Sequence, residues 1–325
     1  MQHRTVLLPN GNKMNLSASI GISWYPQDSI YFDFLKKYAD FAMYQVKKST
    51  KGNLAEFDKD LYEDEKHDRQ MHLEFYQLIE KEQLTYHFQP ILSAKNGEII
   101  AYEALMRSQL ATLKNPEMIL RIAREENKLE DVERICIFKS TETFDQLRKN
   151  KLVKEDALLF INSIASVSLN DEDRERFHRY FSHIQSQIVV EVTEEENMSE
   201  EALIRKRETK GFSGMFALDD YGSGYNTEIN LLNLSPKYIN IDLSIFRNID
   251  IDFDKQQLVS NIVEYAHQRE GYIIAEGIET KEELLKVLEL GVDYLQGYYL
   301  SYPQLNPQEV SNESIKTIEN YWKKR

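Results

Sequence analysis

Two adjacent carboxylates, Asp219 and Asp220, follow a short apolar run at residues 215–218 and precede a loop containing Gly222 and Gly224. The run reads as a β-strand and the glycines as a loop with an unusual backbone path, so the pair is delivered to a strand end. The same pattern, a β-rich apolar run closing on a polar or acidic residue, recurs at residues 157–162, 188–194, 238–242, 272–276 and 294–296. Together with two earlier runs, these strands supply Gln89, Glu103, Arg107, Asn162, Glu191, Glu194, Asp219, Asp220, Asn240, Asp242, Glu276 and Gln296. Oxygen donors dominate the set, and no Cys or His belongs to it. Crowded carboxylates repel one another and take up protons unless a cation holds them ionised. Hard oxygen donors select Mg2+, Mn2+ or Ca2+ over zinc.

The elements that must position these groups follow from periodicity. Residues 84–92 and 99–107 are both strand-like and are joined by SAKNGE, whose Asn96-Gly97 marks a hairpin and therefore an antiparallel pair. Beyond Arg107 the connections lengthen and carry helical patterns at residues 116–127, 132–147, 171–184, 199–210, 255–269 and 281–290. Eight strands with helices as the usual crossovers imply an α/β chain, a (β/α)8 TIM-type barrel with one antiparallel strand, whose C-terminal strand ends form the mouth. Within residues 238–242, alternation places Asn240 and Asp242 on the inner face and Ile239 and Ile241 on the outer one. Lys237, three residues before Asn240, falls on the opposite face. A closing helix is expected at residues 307–322, with Asn306 as its N-cap.

Ahead of the barrel, residues 1–57 offer strand candidates at 5–8 and 15–23 and an amphipathic helix at 31–48. So few elements bury little surface, and they read as an N-terminal α/β fragment. The charged stretch 58–68 reads as a linker and residues 69–325 as the barrel domain. Of the 325 residues, 54 are Asp or Glu and 40 are Lys or Arg, a net charge of −14 that repels nucleic-acid polymers and anionic membrane surfaces. The absence of a ~20-residue apolar stretch and of a signal-peptide core suggests a cytoplasmic chain without membrane contact. The lone cysteine, Cys136, excludes a disulfide framework or Cys-based zinc site and is expected to be buried.

Seven ordered motifs then become recognisable: Phe88-Gln89-Pro90, Glu103-Ala104-Leu105-Met106-Arg107, Phe160-Ile161-Asn162, Glu191-Val192-Thr193-Glu194, Asp219-Asp220-Tyr221-Gly222-Ser223-Gly224-Tyr225, Ala275-Glu276-Gly277-Ile278-Glu279-Thr280 and Gln296-Gly297-Tyr298. In order and spacing they resemble the EAL family of bacterial cyclic di-GMP phosphodiesterases, over about residues 69–305. The resemblance implies a barrel with one antiparallel strand, a two-metal site using Mg2+ or Mn2+, inhibition by Ca2+, and hydrolysis of cyclic di-GMP to linear pGpG. It implies that Glu103, Asn162, Glu191 and Asp219 hold one ion, that Asp219 bridges to a second bound with Asp220, and that Glu276 and Gln296 complete the site. Gln89 and Arg107 would contact the dinucleotide, and Glu194 would steady the glycine loop. Asn240 stands where the family pattern has a lysine, so the resemblance implies impaired catalysis. A non-catalytic cyclic di-GMP receptor and a ligand-free interaction scaffold are the alternatives, and homodimerisation stays open. SASIGISWYP and ADFAMYQVKKSTKGN, within residues 1–57, resemble the C-terminal half of a GGDEF domain, a diguanylate cyclase family. The signature naming that family is not present in these residues, and nothing in them supports cyclase activity.

Overall fold

The computed structural model describes residues 4–49, 52–193, 215–222, 231–232, 234–307 and 310–325. The chain divides into two units, Met1–Glu74 and Phe75–Arg325. The first holds an antiparallel pair, β1 (Arg4–Leu7) with β2 (Lys13–Leu16), and a parallel pair, β3 (Ile20–Ile22) with β4 (Leu54–Glu56), along with helix α1 (Phe32–Ser49). The single strand expected at residues 15–23 is therefore two strands with different partners. β4, only three residues long, is too short to produce a periodic signal. In this unit Tyr38 stacks on Phe57 with centroids 4.1 Å apart, and Tyr62 and Phe41 pack edge-on against them.

The division falls inside helix α2 (Lys59–Lys81). The stretch expected to be a linker at residues 58–68 is thus largely helical. It contains no Gly or Pro, and its long charged side chains lose little freedom in a helix while pairing one turn apart, as Lys66 does with Glu63 at 3.1 Å.

The second unit is a closed barrel of β5 (Leu84–Ser93), β6 (Ile99–Ser108), β7 (Leu158–Ser163), β8 (Ile188–Thr193), β9 (Met215–Tyr221), β10 (Tyr238–Ile241), β11 (Tyr272–Ala275) and β12 (Tyr294–Leu295). β5 runs antiparallel to both of its neighbours, β6 and β12, and every other adjacent pair is parallel. That is the barrel with one antiparallel strand that the hairpin at Asn96-Gly97 implied.

Two apolar layers hold it together. Between the wall and the helices around it lies a large core that includes Val192, Leu218, Ile239, Ile241, Ile273 and Phe246. Inside the barrel, Ile91, Ala101, Phe160, Val189, Ala217, Tyr238 and Ile274 form a second buried cluster, contributed by seven different strands. Cys136 is buried in the helix Leu129–Lys149, and burial pushes its thiol up to about 12.

The closing helix begins at Asn312, not at Pro307. Just before it, the Ser311 N–H donates to Leu300 O at 2.9 Å, which ties the chain back to the segment after β12. No helix among the described residues is long and apolar enough to cross a membrane.

Candidate metal centre

The interior cluster fixes where the functional side chains go. Side chains two apart on a strand share a face. Gln89, Glu103, Asn162, Glu191, Asp219, Asn240 and Glu276 each lie two residues from a member of that cluster: Ile91, Ala101, Phe160, Val189, Ala217, Tyr238 and Ile274 respectively. Gln296 stands in the same relation to Tyr294, which packs against the cluster. Eight strands therefore place eight polar side chains as one layer on an apolar floor, at the barrel end where such folds carry their chemistry. Gln89 obeys the rule in reverse sequence direction, preceding Ile91 instead of following its partner, because β5 is the reversed strand.

Asp220 would face away from this layer on a regular strand. A bulge changes that: Ile239 pairs with Leu218 while Ile241 pairs with Tyr221, so β9 carries one extra residue opposite Asn240. Asp220 takes φ +56°, a left-handed conformation that Asp tolerates better than most side chains. The Asp220 charge is felt by Glu103, Glu191 and Glu276. Two residues on, Gly222 has φ +101°, and a Cβ there would lie 2.2 Å from Ile245 Cδ1. On the other side of the mouth, a Cβ on Gly297 would meet Ile278 N and O at 2.2 Å, so only glycine lets the chain after Gln296 pass against the loop after Glu276.

Hydrogen bonds join the layer into two groups. Asn162 Nδ2 donates to Glu103 Oε1 at 2.9 Å and Gln296 Nε2 donates to Glu103 Oε2 at 2.6 Å. Gln296 Nε2 also reaches Gln89 Oε1 at 3.2 Å, and Gln89 Nε2 donates to Ser301 O at 3.1 Å. In the second group, Asn240 Nδ2 donates to Glu191 Oε1 at 2.7 Å and to Asp219 Oδ1 at 3.1 Å. Arg107 Nη1 donates to Met106 O at 2.8 Å, and the Arg107 charge favours the ionised form of Glu103.

The electrostatics are those of crowded, mutually repelling carboxylates. Burial, then Glu103 and Asp219, push Glu191 well above the ordinary carboxylate range. Burial and Glu103 raise Asp219 to about 7, although the Asn240 hydrogen bond opposes the rise. Glu276 is pushed well up by burial and by Asp219 and Glu103. Burial also raises Glu103, against the two amide hydrogen bonds that stabilise its anion.

Glu191, Asp219 and Glu276 each offer an oxygen within 4.8 Å of the others, a spacing suited to ligands of one ion. Glu191 Oε2, Asn240 Oδ1 and Gln296 Oε1 are buried without a hydrogen-bond partner among the described residues. Unmatched buried acceptors beside mutually repelling carboxylates call for a cation, and an all-oxygen donor set fits a hard divalent ion.

Two expectations need correction or restriction. Asp242 is not hydrogen-bonded into the layer: it is the N-cap of the short helix Leu243–Phe246, and its Oδ1 accepts from Ser244 N at 2.8 Å, although its charge is still felt by Asp219. Directly after Asp242 the chain turns into that helix, and capping it engages the carboxylate that alternation alone would have aimed inward. Glu194, together with the helix expected at 199–210, lies outside the described residues. Lys237 is directed elsewhere, donating to Glu270 O with its ammonium 4.9 Å from the centroid of the Tyr272 ring.

Two supporting carboxylates escaped the sequence reading. Glu133 is buried and accepts from Ser163 Oγ and, at 2.9 Å, from Ile164 N, which anchors the chain just after Asn162. Its signal was an acidic residue among the apolar positions of a helix. Glu283 forms a capping box with Thr280 and accepts from Glu279 N at 3.0 Å, fixing the loop after Glu276. The Thr-x-x-Glu spacing at 280–283 was its signal.

The EAL domain family profile matches residues 73–303. The bifunctional diguanylate cyclase/cyclic di-GMP phosphodiesterase MucR of Pseudomonas aeruginosa is 28% identical over 305 residues, covering 90% of this chain and 43% of that protein. The chain thus spans less than half the length of this curated relative. Among solved structures, the PaMucR phosphodiesterase in complex with c-di-GMP is 26% identical with a TM-score of 0.61, covering 72% of this chain and 97% of the other. An EAL domain protein of Listeria monocytogenes has the same fold, with a TM-score of 0.60 at 23% identity, covering 70% of this chain and 92% of that one. With the profile spanning most of the barrel unit and Glu103 of its Glu103-Ala104-Leu105 in the polar layer at the mouth, this chain belongs to the EAL domain family.

Proposed function

We propose that the chain binds cyclic di-GMP with Mg2+ or Mn2+ and hydrolyses it slowly to linear pGpG. The observation that carries this reading is the group of buried Glu191 and Asp219 with half-buried Glu276, with unmatched oxygens beside it, at the mouth of an EAL barrel. The similar PaMucR structure is a c-di-GMP complex, and the relative MucR is named for this activity.

Glu103, Asn162, Glu191 and Asp219 would hold one ion, Asp219 and Asp220 a second, with Glu276 and Gln296 completing the set. Divalent ions bound there supply an activated water and positive charge opposite the phosphate. Ca2+, which favours looser coordination, is expected to support binding and inhibit turnover. Arg107 binds a phosphate oxygen, Gln89 orients the dinucleotide, and Glu194 steadies the loop after Gly222. Asn240 contributes hydrogen bonds but no charge, and this makes the reaction slow, since one preorganised charge-stabilising group contributes ~10² to 10³ in rate.

The neutrality of Asn240 also favours a second reading, a receptor that binds cyclic di-GMP without cleaving it. The intact carboxylate layer argues against a scaffold that has lost its ligand. Residues 1–57 are read as the C-terminal part of a GGDEF-like domain, in keeping with the bifunctional relative, and the chain as cytoplasmic. Incubation with cyclic di-GMP and Mn2+, followed by chromatography, separates the readings. Metal-dependent appearance of pGpG supports the enzyme, and tight binding with no product establishes the receptor.

A further inference from the structure

Asn240 is fully buried, and its Nδ2 is the group that joins Glu191 to Asp219, at 2.7 Å and 3.1 Å. The amide turns its N–H groups toward these two and its oxygen away, the orientation that suits them once an ion holds them ionised, because an ionised carboxylate only accepts hydrogen bonds. That oxygen, Oδ1, has no partner among the described residues, and neither does Glu191 Oε2. The amide is therefore held in place by the two carboxylates it touches. Its position opposite the β9 bulge lets one side chain of β10 span the carboxylates of β8 and β9.

Two consequences follow for an ion bound by Glu191, Asp219 and Glu276. A single nitrogen bonded to two of the three ligands fixes their separation before the ion arrives, as supporting hydrogen bonds do for metal ligands generally. Being neutral, that nitrogen neither cancels the charge of the carboxylates nor repels the ion. A cationic side chain in the same place would do both, because a unit charge a few ångströms from a divalent ion in a buried site is strongly repelled.

We propose that Asn240 is a positioning residue that sets the metal affinity of the centre, pre-assembling Glu191 and Asp219 without adding a positive charge that would compete with the ion. The proposal rests on the metal-centre reading given above and goes beyond it in assigning the affinity to a residue that need not touch the metal.

The test is calorimetric titration of the chain with Mn2+ alone, comparing the wild-type protein with Asn240→Leu and Asn240→Lys. Leucine keeps the branched outline, with somewhat greater bulk, and removes the donor, and the expected loss of affinity is about 10-fold to 100-fold, the range for supporting groups of metal ligands. Lysine restores a donor but adds a charge, and the expected loss is larger, on the order of 10²-fold or more. Thermal melts of the metal-free proteins check folding; if Asn240→Lys does not fold, Asn240→Leu decides alone. Wild-type affinity in the folded variants overturns the proposal while leaving the metal centre standing. Absence of Mn2+ binding by the wild-type chain overturns both.

Discussion

On the β6 side of the mouth, Glu103 receives two amide N–H groups, from Asn162 and Gln296, and Arg107 lends it a favourable charge. On the side formed by β8 to β11, Glu191 and Asp219 share one amide donor, and no hydrogen bond among the described residues holds the Glu276 carboxylate. Both walls use carboxylates from strands of the same barrel at the same height above the same apolar floor. The difference lies in donors: the first wall is nearly satisfied by the protein, and the second leaves a deficit of positive charge. A deficit on one wall would draw an ion to that side, where the charge of Glu103 is still felt by Glu191 and Asp219, while Asn162, Gln296 and Arg107 leave amide and guanidinium groups for a ligand.

The comparison breaks most easily at the carboxylates. Asp219→Ala removes charge from the deficient wall and should abolish Mn2+-assisted binding, a loss beyond 10²-fold by titration; Glu103→Ala should do likewise if its oxygens ligate despite their amide partners. Both variants should keep the fold, because these side chains lie on the core and not within it. Retained affinity in Glu103→Ala alone would make Glu103 part of the frame only. Asn240→Lys, assayed at saturating Mg2+ or Mn2+, should raise turnover by ~10² to 10³ with a smaller change in cyclic di-GMP affinity. Normal binding with no faster turnover would remove Asn240 as the cause of slow hydrolysis.

A gentler probe is pH. Asp219 lies near 7 in the folded protein against an ordinary 3.8, and Glu191 and Glu276 are also raised. The folded state thus binds more protons than the unfolded one between those values. In chelator, stability contributed by the protonated groups is present below about pH 4 and is lost as pH rises through about 7. The metal-free melting temperature should fall across that window, and Mn2+ should restore it increasingly toward the upper end. A flat profile in chelator would show that the second wall carries no deficit. The smallest effect belongs to Asp242→Ala, which removes a helix N-cap, should cost about 1 kcal/mol of stability and should leave metal affinity unchanged. Weakened Mn2+ binding would return Asp242 to the site.

The barrel was legible because two simple signals agreed. The Asn96-Gly97 hairpin gave the reversed strand, and the polar residues on or just after the strand-like runs gave all eight members of the layer, with alternation turning Asn240 inward. Alternation failed where the backbone departs from a regular strand. It could not see the bulge that brings Asp220 into the field of the site, and it overshot at Asp242, where the strand had already become a helix cap. It also could not say what would oppose the charges, since the pairing of Asn240 with Glu191 and Asp219 joins residues 49 and 21 positions apart. The first unit was read less well, because strands of three and four residues carry too little pattern to separate one strand from two.

The most direct test of the charge-deficit account is to grow crystals of the chain in Mn2+ and locate the ion by its anomalous scattering. The account predicts a peak within bonding distance of carboxylate oxygens of Glu191, Asp219 and Glu276. A peak held by Glu103, Asn162 and Gln296 without those three, or none at all with Mn2+ in excess, would contradict it.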